Sequence, residues 1–420
     1  MKRLLLIFIL AALCGACKET LPDFPEVGEA YAVTSGPHDH FMANYFGLNA
    51  WSPDGRYLAV LETDVNGRLA AEGEEATIAL VDLKDGNKLI PIAKTPCWNF
   101  QEATMFHWLP WEDGACIYND CRYGKFVSVI YNWKTGAERV IPYPVSAVSA
   151  DGLQAVSINY ARLRLCRPDY GYAGSGQDPL REQVWPENDG LYLVNLRTGE
   201  GRLILSIKDA QPLMPAINGP DGFAYFCHTV FSKNAKKIFF LARTVEDLNK
   251  QVGQFGIVKV WDTASFTIDT DGGNLRRCFP DGWRGSHFNW LDDETLTVTA
   301  RWDGGGCWSH TVFKVGDETN VRHLAPGIMD WDGHCIFSPD GKFISSEGYW
   351  NKDGYRSWVL LRLEDEALIS LGRFYVPDKY KEQYSRCDLH ARWRPDGSQL
   401  AFNSVHEGSR QVYLRDVKWK

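Results

Sequence analysis

The chain has 420 residues, of which 45% are hydrophobic and 23% charged, and its formal charge is −8. That length allows one large all-β domain or two ordinary ones, in an ordinary soluble composition with ample apolar material for a core. An acidic balance without a long basic run excludes a phosphate backbone as partner, so no nucleic acid is expected to bind.

The first residues, MKRLLLIFILAALCGACKET, combine a basic start, a short apolar core and small residues before Cys17. They read as a secretory signal, too short and wrongly flanked for a membrane span. The CGAC ending resembles a bacterial lipoprotein cleavage site, with Gly15 and Ala16 before the acylated Cys17. The resemblance implies a leader over 1–16, a lipid on Cys17 and a tether over 17–30. It implies a secreted lipoprotein, facing the periplasm or displayed at the cell surface, that meets the membrane through its lipid alone. A plain signal cleaved nearby is the alternative. No later apolar run is long enough to span a bilayer. Beyond Cys17 nine cysteines remain, scattered and without a CxxC pair, so they read as buried small hydrophobes.

From residue 31 onward the chain repeats. WSPDGRYLAVLE begins at Trp51, FSPDGKFISSEG at Phe337 and WRPDGSQLAFNS at Trp393, with degenerate copies at Trp108, Val148, Phe231 and Trp290. Each unit reads as strand, Asp-Gly turn, alternating strand, loop, strand, turn and strand, which is one four-stranded antiparallel blade. Seven units predict an all-β, seven-bladed β-propeller over 31–420, expected as a monomer. After Trp393 only about three strands fit, so EAYAVTS near Tyr31 is expected to supply the fourth and close the ring without a long exposed edge. The widest gap between anchors, from Val148 to Phe231, holds CRPDYGYAGSGQDPLREQVWPEND, expected as a lid or rim, with disorder as the alternative.

A histidine stands three residues before the anchor in four consecutive units: His228, His287, His334 and His390. Units one to three have Leu48, Met105 and Val145 there. If the innermost strand of each blade runs up to the Asp-Gly turn, these imidazoles converge on one mouth of the channel. Imidazoles serve as metal ligands or proton carriers because they titrate near neutrality; capping backbone groups at the channel entrance is the alternative. Asp388 lies two residues before His390 and points the same way on an extended strand. His287, His390 and Asp388, with His334 as a fourth candidate, thus form a set suited to a divalent metal ion. Three second strands end in arginine, at Arg162, Arg243 and Arg301, a rim able to hold carboxylates in a bidentate fork. Tyr160, Trp302, Tyr349 and Trp350 lie near those strand ends, placed to stack on sugar rings or to pack in the core.

On these residues the chain resembles the TolB-like propellers, and among them the oligogalacturonate lyase type, whose histidines also precede an aromatic anchor by three. The resemblance implies metal binding by His287 and His390, with Asp388 where a further histidine is expected, and places His228 near the substrate. The lyase pattern also has a glutamine where Ser385 stands and an arginine whose nearest match is Gly190, so oligogalacturonate itself is in question as substrate. Ulvan lyases and an exo-α-L-rhamnosidase family look related in fold. The first use paired histidines with Tyr and Arg, where Gln101 and Asn119 stand here. The second relies on an amino-terminal histidine on the other face, a role for His38 or His40.

Three functions follow as expectations. The first is a lyase cleaving at uronic acid in an acidic polysaccharide, with His228 as base and Arg243 or Arg301 on the carboxylate. The second is a hydrolase acting on rhamnose-glucuronate caps through His38 or His40; the paired carboxylates of ordinary glycosidases are not visible. The third is a non-catalytic propeller that binds glycans or proteins.

Overall fold

The computed structural model describes residues 23–173, 177–214, 222–246, 248, 261–302, 306–382 and 384–420. The leader and Cys17 lie outside them. Seven antiparallel sheets form a seven-bladed propeller, six built from consecutive strands and the seventh completed by the amino-terminal segment. Blade 1 runs from inside to outside as Asp39–Met42, Tyr57–Thr63, Ala76–Asp82 and Lys88–Thr95. In blade 7 the strands Arg392–Trp393, Gln399–Ser404 and Gln411–Lys418 come from the end of the chain. Glu26–Val27 and Tyr31–Ala32 both pair with Gln411–Lys418 and close the ring. Glu26–Val27 falls inside the stretch expected as tether.

The repeated turns explain why these sequences become blades. In the SPDG turns and the related SADG turn, the Ser52, Ser338 and Ser149 hydroxyls donate to the aspartate two residues on, at 2.5–2.6 Å, and that carboxylate accepts a backbone amide two residues further. Gly55, Gly341 and Gly397 then take φ of +65°, +70° and +73°, a region that glycine enters without a Cβ penalty. The anchoring aromatics wedge between blades: the Trp108 and Trp290 indoles donate to the Ala50 and Val230 carbonyls of the preceding inner strand. Of the nine cysteines described, none forms a disulfide and seven are buried.

The long insertion of blade 3 begins with helix α1 (Tyr160–Cys166), capped by the Asn159 side chain accepting from the Arg162 amide at 2.9 Å. Beyond it Tyr170 and Tyr172 are buried in the main core. Among the described residues no helix is long and apolar enough to cross a membrane.

A buried histidine cluster as candidate active site

The inner strands all begin at the same end of the channel, so equivalent positions on neighbouring blades face one another. Three of the four repeat histidines meet ring to ring, and His228 joins them through Tyr45. His287 and His334 ring centroids are 4.0 Å apart, those of His334 and His390 are 4.3 Å apart, and all four residues are at most 6% exposed. They sit deeper than expected in blades 4 and 5, because Phe223–Phe231 and Trp283–Trp290 start well before the histidine. In both strands the pairing register shifts at the histidine, and His228 and His390 take left-handed φ of +57° and +45°. A bulge of this kind re-aims one side chain without ending the strand.

Acidic side chains back two of the imidazoles, and burial lifts that of Glu347 to about 8. His287 Nδ1 lies 2.8 Å from Asp332, and His334 Nδ1 lies 2.8 Å from Glu347, which also accepts from the His390 amide. Such outer partners orient ligating imidazoles. His334 Nε2 and His390 Nε2 then face each other at 3.1 Å. Burial holds both rings well below the usual imidazole pKa and so favours the neutral imidazole, the form that ligates a metal. Two nitrogens each ~2.1 Å from one cation and at right angles would stand ~3.0 Å apart, so the pair fits a shared metal ion.

His334, Asp388 and His390 are the trio whose donor atoms gather within 4.8 Å. Burial pushes the Asp388 carboxyl up, but Arg356 and Arg386 outweigh it and keep it well below the ordinary range. Both oxygens already accept, one from Arg356 and the other from Arg386 Nε at 2.7 Å. Asp388 therefore ligates only by sharing an oxygen. His287 stands outside this trio, as its neighbour rather than a member.

The centre of the ring is occupied by a segment of blade 1. Ala43 donates to the Ala59 carbonyl and the Ala59 amide donates to Ala50, so residues 44–49 leave the inner strand of blade 1 and return to it. This excursion inserts Tyr45 and Phe46 edge-on among the histidines. Tyr45 lies 5.2 Å from His228 and 5.3 Å from His390, and Phe46 lies 4.6 Å from His334 and 5.6 Å from His287. Leu48 belongs to the excursion and is no counterpart of the histidines. This plug packs against all four imidazoles.

Around His228 the structure assembles groups that repeat spacing does not single out. Glu102 lies 3.6 Å from His228 Nδ1, and burial lifts its pKa to about 8 against the pull of Arg167 and Arg243. Tyr170 of the insertion lies 4.8 Å from His228 and under the Arg167 guanidinium. Arg243 is buried with its Nε unpartnered. Burial, reinforced by Arg243 and Arg167, holds His228 neutral. Glu102 carries no sequence signal, because it comes from the loop before the two-residue inner strand of blade 2.

Other expected site residues fall elsewhere. Arg162 does not end a strand; it lies in α1, 1% exposed, donating to the Ala224, Leu180, Gln183 and Val184 carbonyls and to Asp178. It braces the insertion and does not reach the rim. Tyr160 is a core residue stacked on Tyr172 at 4.3 Å, not a sugar platform. Arg301 and Trp302 are exposed at the rim of blade 5, and Trp350 packs with Tyr349 beside Arg356.

His40 and His38 lie at the entry to the blade 1 inner strand, at the same end of the propeller as the cluster and not on the other face. Both ring nitrogens of His40 are engaged, by Gln411 and Glu62, while His38 pairs with Asp64. Gln101 accepts from Arg386 at 2.8 Å, and Asn119 is tied to Val145 and Tyr172. At Gly190 a Cβ would meet the Leu205 carbonyl at 2.0 Å, so no arginine fits there.

No protein-family model and no curated protein matches the chain. Solved structures do. An oligogalacturonate lyase from Vibrio parahaemolyticus superposes with a TM-score of 0.61 at 14% identity, covering 94% of this chain and 98% of that one. An oligogalacturonate lyase in complex with manganese gives 0.61 at 16% identity, over 95% and 97%. TolB from Acinetobacter baumannii aligns over 73% of this chain and 61% of its own, with a TM-score of 0.39 at 13% identity. The chain therefore has the propeller fold of the oligogalacturonate lyases along nearly its whole length.

Proposed function

We propose that the protein is a polysaccharide lyase that cleaves at uronic acid in an acidic glycan by β-elimination. The observation that carries this reading is the pair of neutral imidazoles, His334 and His390, facing each other at 3.1 Å beside a buried group of guanidinium ions.

Eliminating across a uronate requires removing the proton beside its carboxylate while the negative charge that develops there is neutralised. Arg243, buried with an unpartnered N–H, holds that carboxylate; Arg301 at the rim is too exposed to hold it out of water. His228 takes the proton, since a neutral imidazole beside a cation is a base ready at physiological pH. Glu102, protonated at neutral pH, steadies the imidazole from the side of Nδ1. Tyr170, Trp302 and Trp350 line the approach. A divalent ion held by His334 and His390, with Asp388 sharing an oxygen, would add positive charge opposite the developing anion. The lipid on Cys17 would display the enzyme on a membrane surface.

The test is to incubate the protein with polygalacturonate and other uronate glycans, with manganese supplied, and follow ultraviolet absorbance of unsaturated uronate. A rise that is lost in His228→Ala supports the reading. No rise across the panel overturns it. Free rhamnose released instead, and lost in His40→Ala, would select the hydrolase.

A further inference from the structure

Behind the plug, at the mouth formed by the Asp-Gly turns, lies a cavity of about 160 Å³ open to solvent. Its lining includes Leu48, Lys233, Asn289, Phe337, Arg392 and Trp393. No acidic side chain lines it.

Two of these residues are buried with an unpartnered donor. Arg392 is 2% exposed, and its hydrogen-bond partners are all uncharged oxygens: the His390 and Ala391 carbonyls and both oxygens of Asn44. Its Nε–H has none, and it forms no ion pair among the described residues. Trp393 is 8% exposed, and its indole N–H is also unpartnered, unlike those of Trp108 and Trp290. Glu347, on the histidine side, is the acid that acts on Arg392, but it forms no ion pair with it; a guanidinium buried without a direct partner charge and beside a second orphan donor is costly unless an anion joins it. Lys233 adds a third positive or donating group from the blade 4 turn. The acid that acts on it, Asp293, accepts from the Asn234 amide and does not line the cavity.

We infer that this cavity is a second ligand site, on the face opposite the histidines, for a small carboxylate-bearing molecule of monosaccharide size. Arg392, Trp393 and Lys233 hold the carboxylate, and the Phe337, Trp393 and Leu48 side chains cover the apolar face of a ring. The same Arg392 grips the Asn44 carbonyl, where the plug begins, and Leu48 belongs to the plug. Occupancy therefore bears on the segment that presses Tyr45 and Phe46 against the histidines.

The test is calorimetric titration of the whole chain with galacturonate, with galactose as the uncharged control. It is run in a His228→Ala/Arg243→Met background, which disables the front site, so the result does not depend on turnover or on the lyase reading. Lys233 lies in an exposed turn, so Lys233→Met should fold; an unchanged melting temperature checks this. Loss of one charge-assisted bond should weaken galacturonate binding roughly tenfold in Lys233→Met, and Trp393→Phe, which keeps a ring but removes the N–H, should weaken it severalfold. Lys233→Arg should bind like its parent. Absent binding, equal binding of galactose, or an unchanged affinity in Lys233→Met would overturn the inference.

Discussion

Glu102→Gln should change how stability depends on pH, and the sign follows from the site. Glu102 is 2% exposed, and its pKa stands at about 8 in the folded protein against 4.5 as an ordinary glutamate. Below pH 4.5 both folded and unfolded chains hold the proton. Between 4.5 and about 8 the unfolded chain releases it while the folded one keeps it, so the folded state binds more protons and stability falls as pH rises. The contribution is fully present below 4.5 and gone once the pH passes the folded value. A gap of roughly 3.5 pH units at about 1.4 kcal/mol each gives an upper limit near 5 kcal/mol, and a few kcal/mol after relaxation of the site. Glutamine has the same shape and never ionises, so the variant lacks this slope. The opposite slope from buried neutral histidines, lost as pH falls below 6.5, is largely common to both proteins and drops out of the difference. Urea unfolding of both proteins at pH 5, 6, 7 and 8.5 measures it. The variant should gain on the parent steadily, by about 2 kcal/mol or more at pH 8.5. A difference constant across that range would refute the reasoning and mean that Glu102 ionises as freely folded as unfolded.

Replacing both His334 and His390 by alanine should abolish retention of added manganese through gel filtration, measured by elemental analysis; full retention would rule out the pair as its ligands. Phe46→Ala empties the centre of the histidine ring and should cost about 3 to 5 kcal/mol of unfolding free energy in urea, as for other buried phenylalanines. Arg162→Met should cost about 3 kcal/mol or more by leaving four carbonyls and Asp178 without their donor, yet leave turnover per folded molecule unchanged. A selective loss of turnover with unaltered stability would instead return Arg162 to the substrate rim.

Much of the site was legible because the repeat itself puts its members in register. Four imidazoles at the same offset from four anchors had to face a common axis once the blades closed. What the spacing did not carry was depth and handedness. The bulges in blades 4 and 5 shift pairing at the histidine, and the positive φ of His228 and His390 turns side chains in a way an alternating strand does not. With these turns the Nε2 atoms of His334 and His390 face each other, while the His287 ring lies beside His334. Glu102 and Tyr170 come from loops with no repeat, and no repeat spacing marks residues 44–49 as leaving the inner strand of blade 1.

The amino-acid sequence by itself determined the architecture: the Ser-Pro-Asp-Gly turns satisfy their own backbone within a few residues, and the anchoring aromatics recur wherever one blade packs on the next. Those interactions are local, so they show in any short window. Only the tertiary structure decided that Arg162 clamps a helix, that Tyr45 and Phe46 pack against the histidines, and which imidazoles touch. Each of these depends on groups hundreds of residues apart meeting in a low-dielectric interior, where burial sets charge and geometry together.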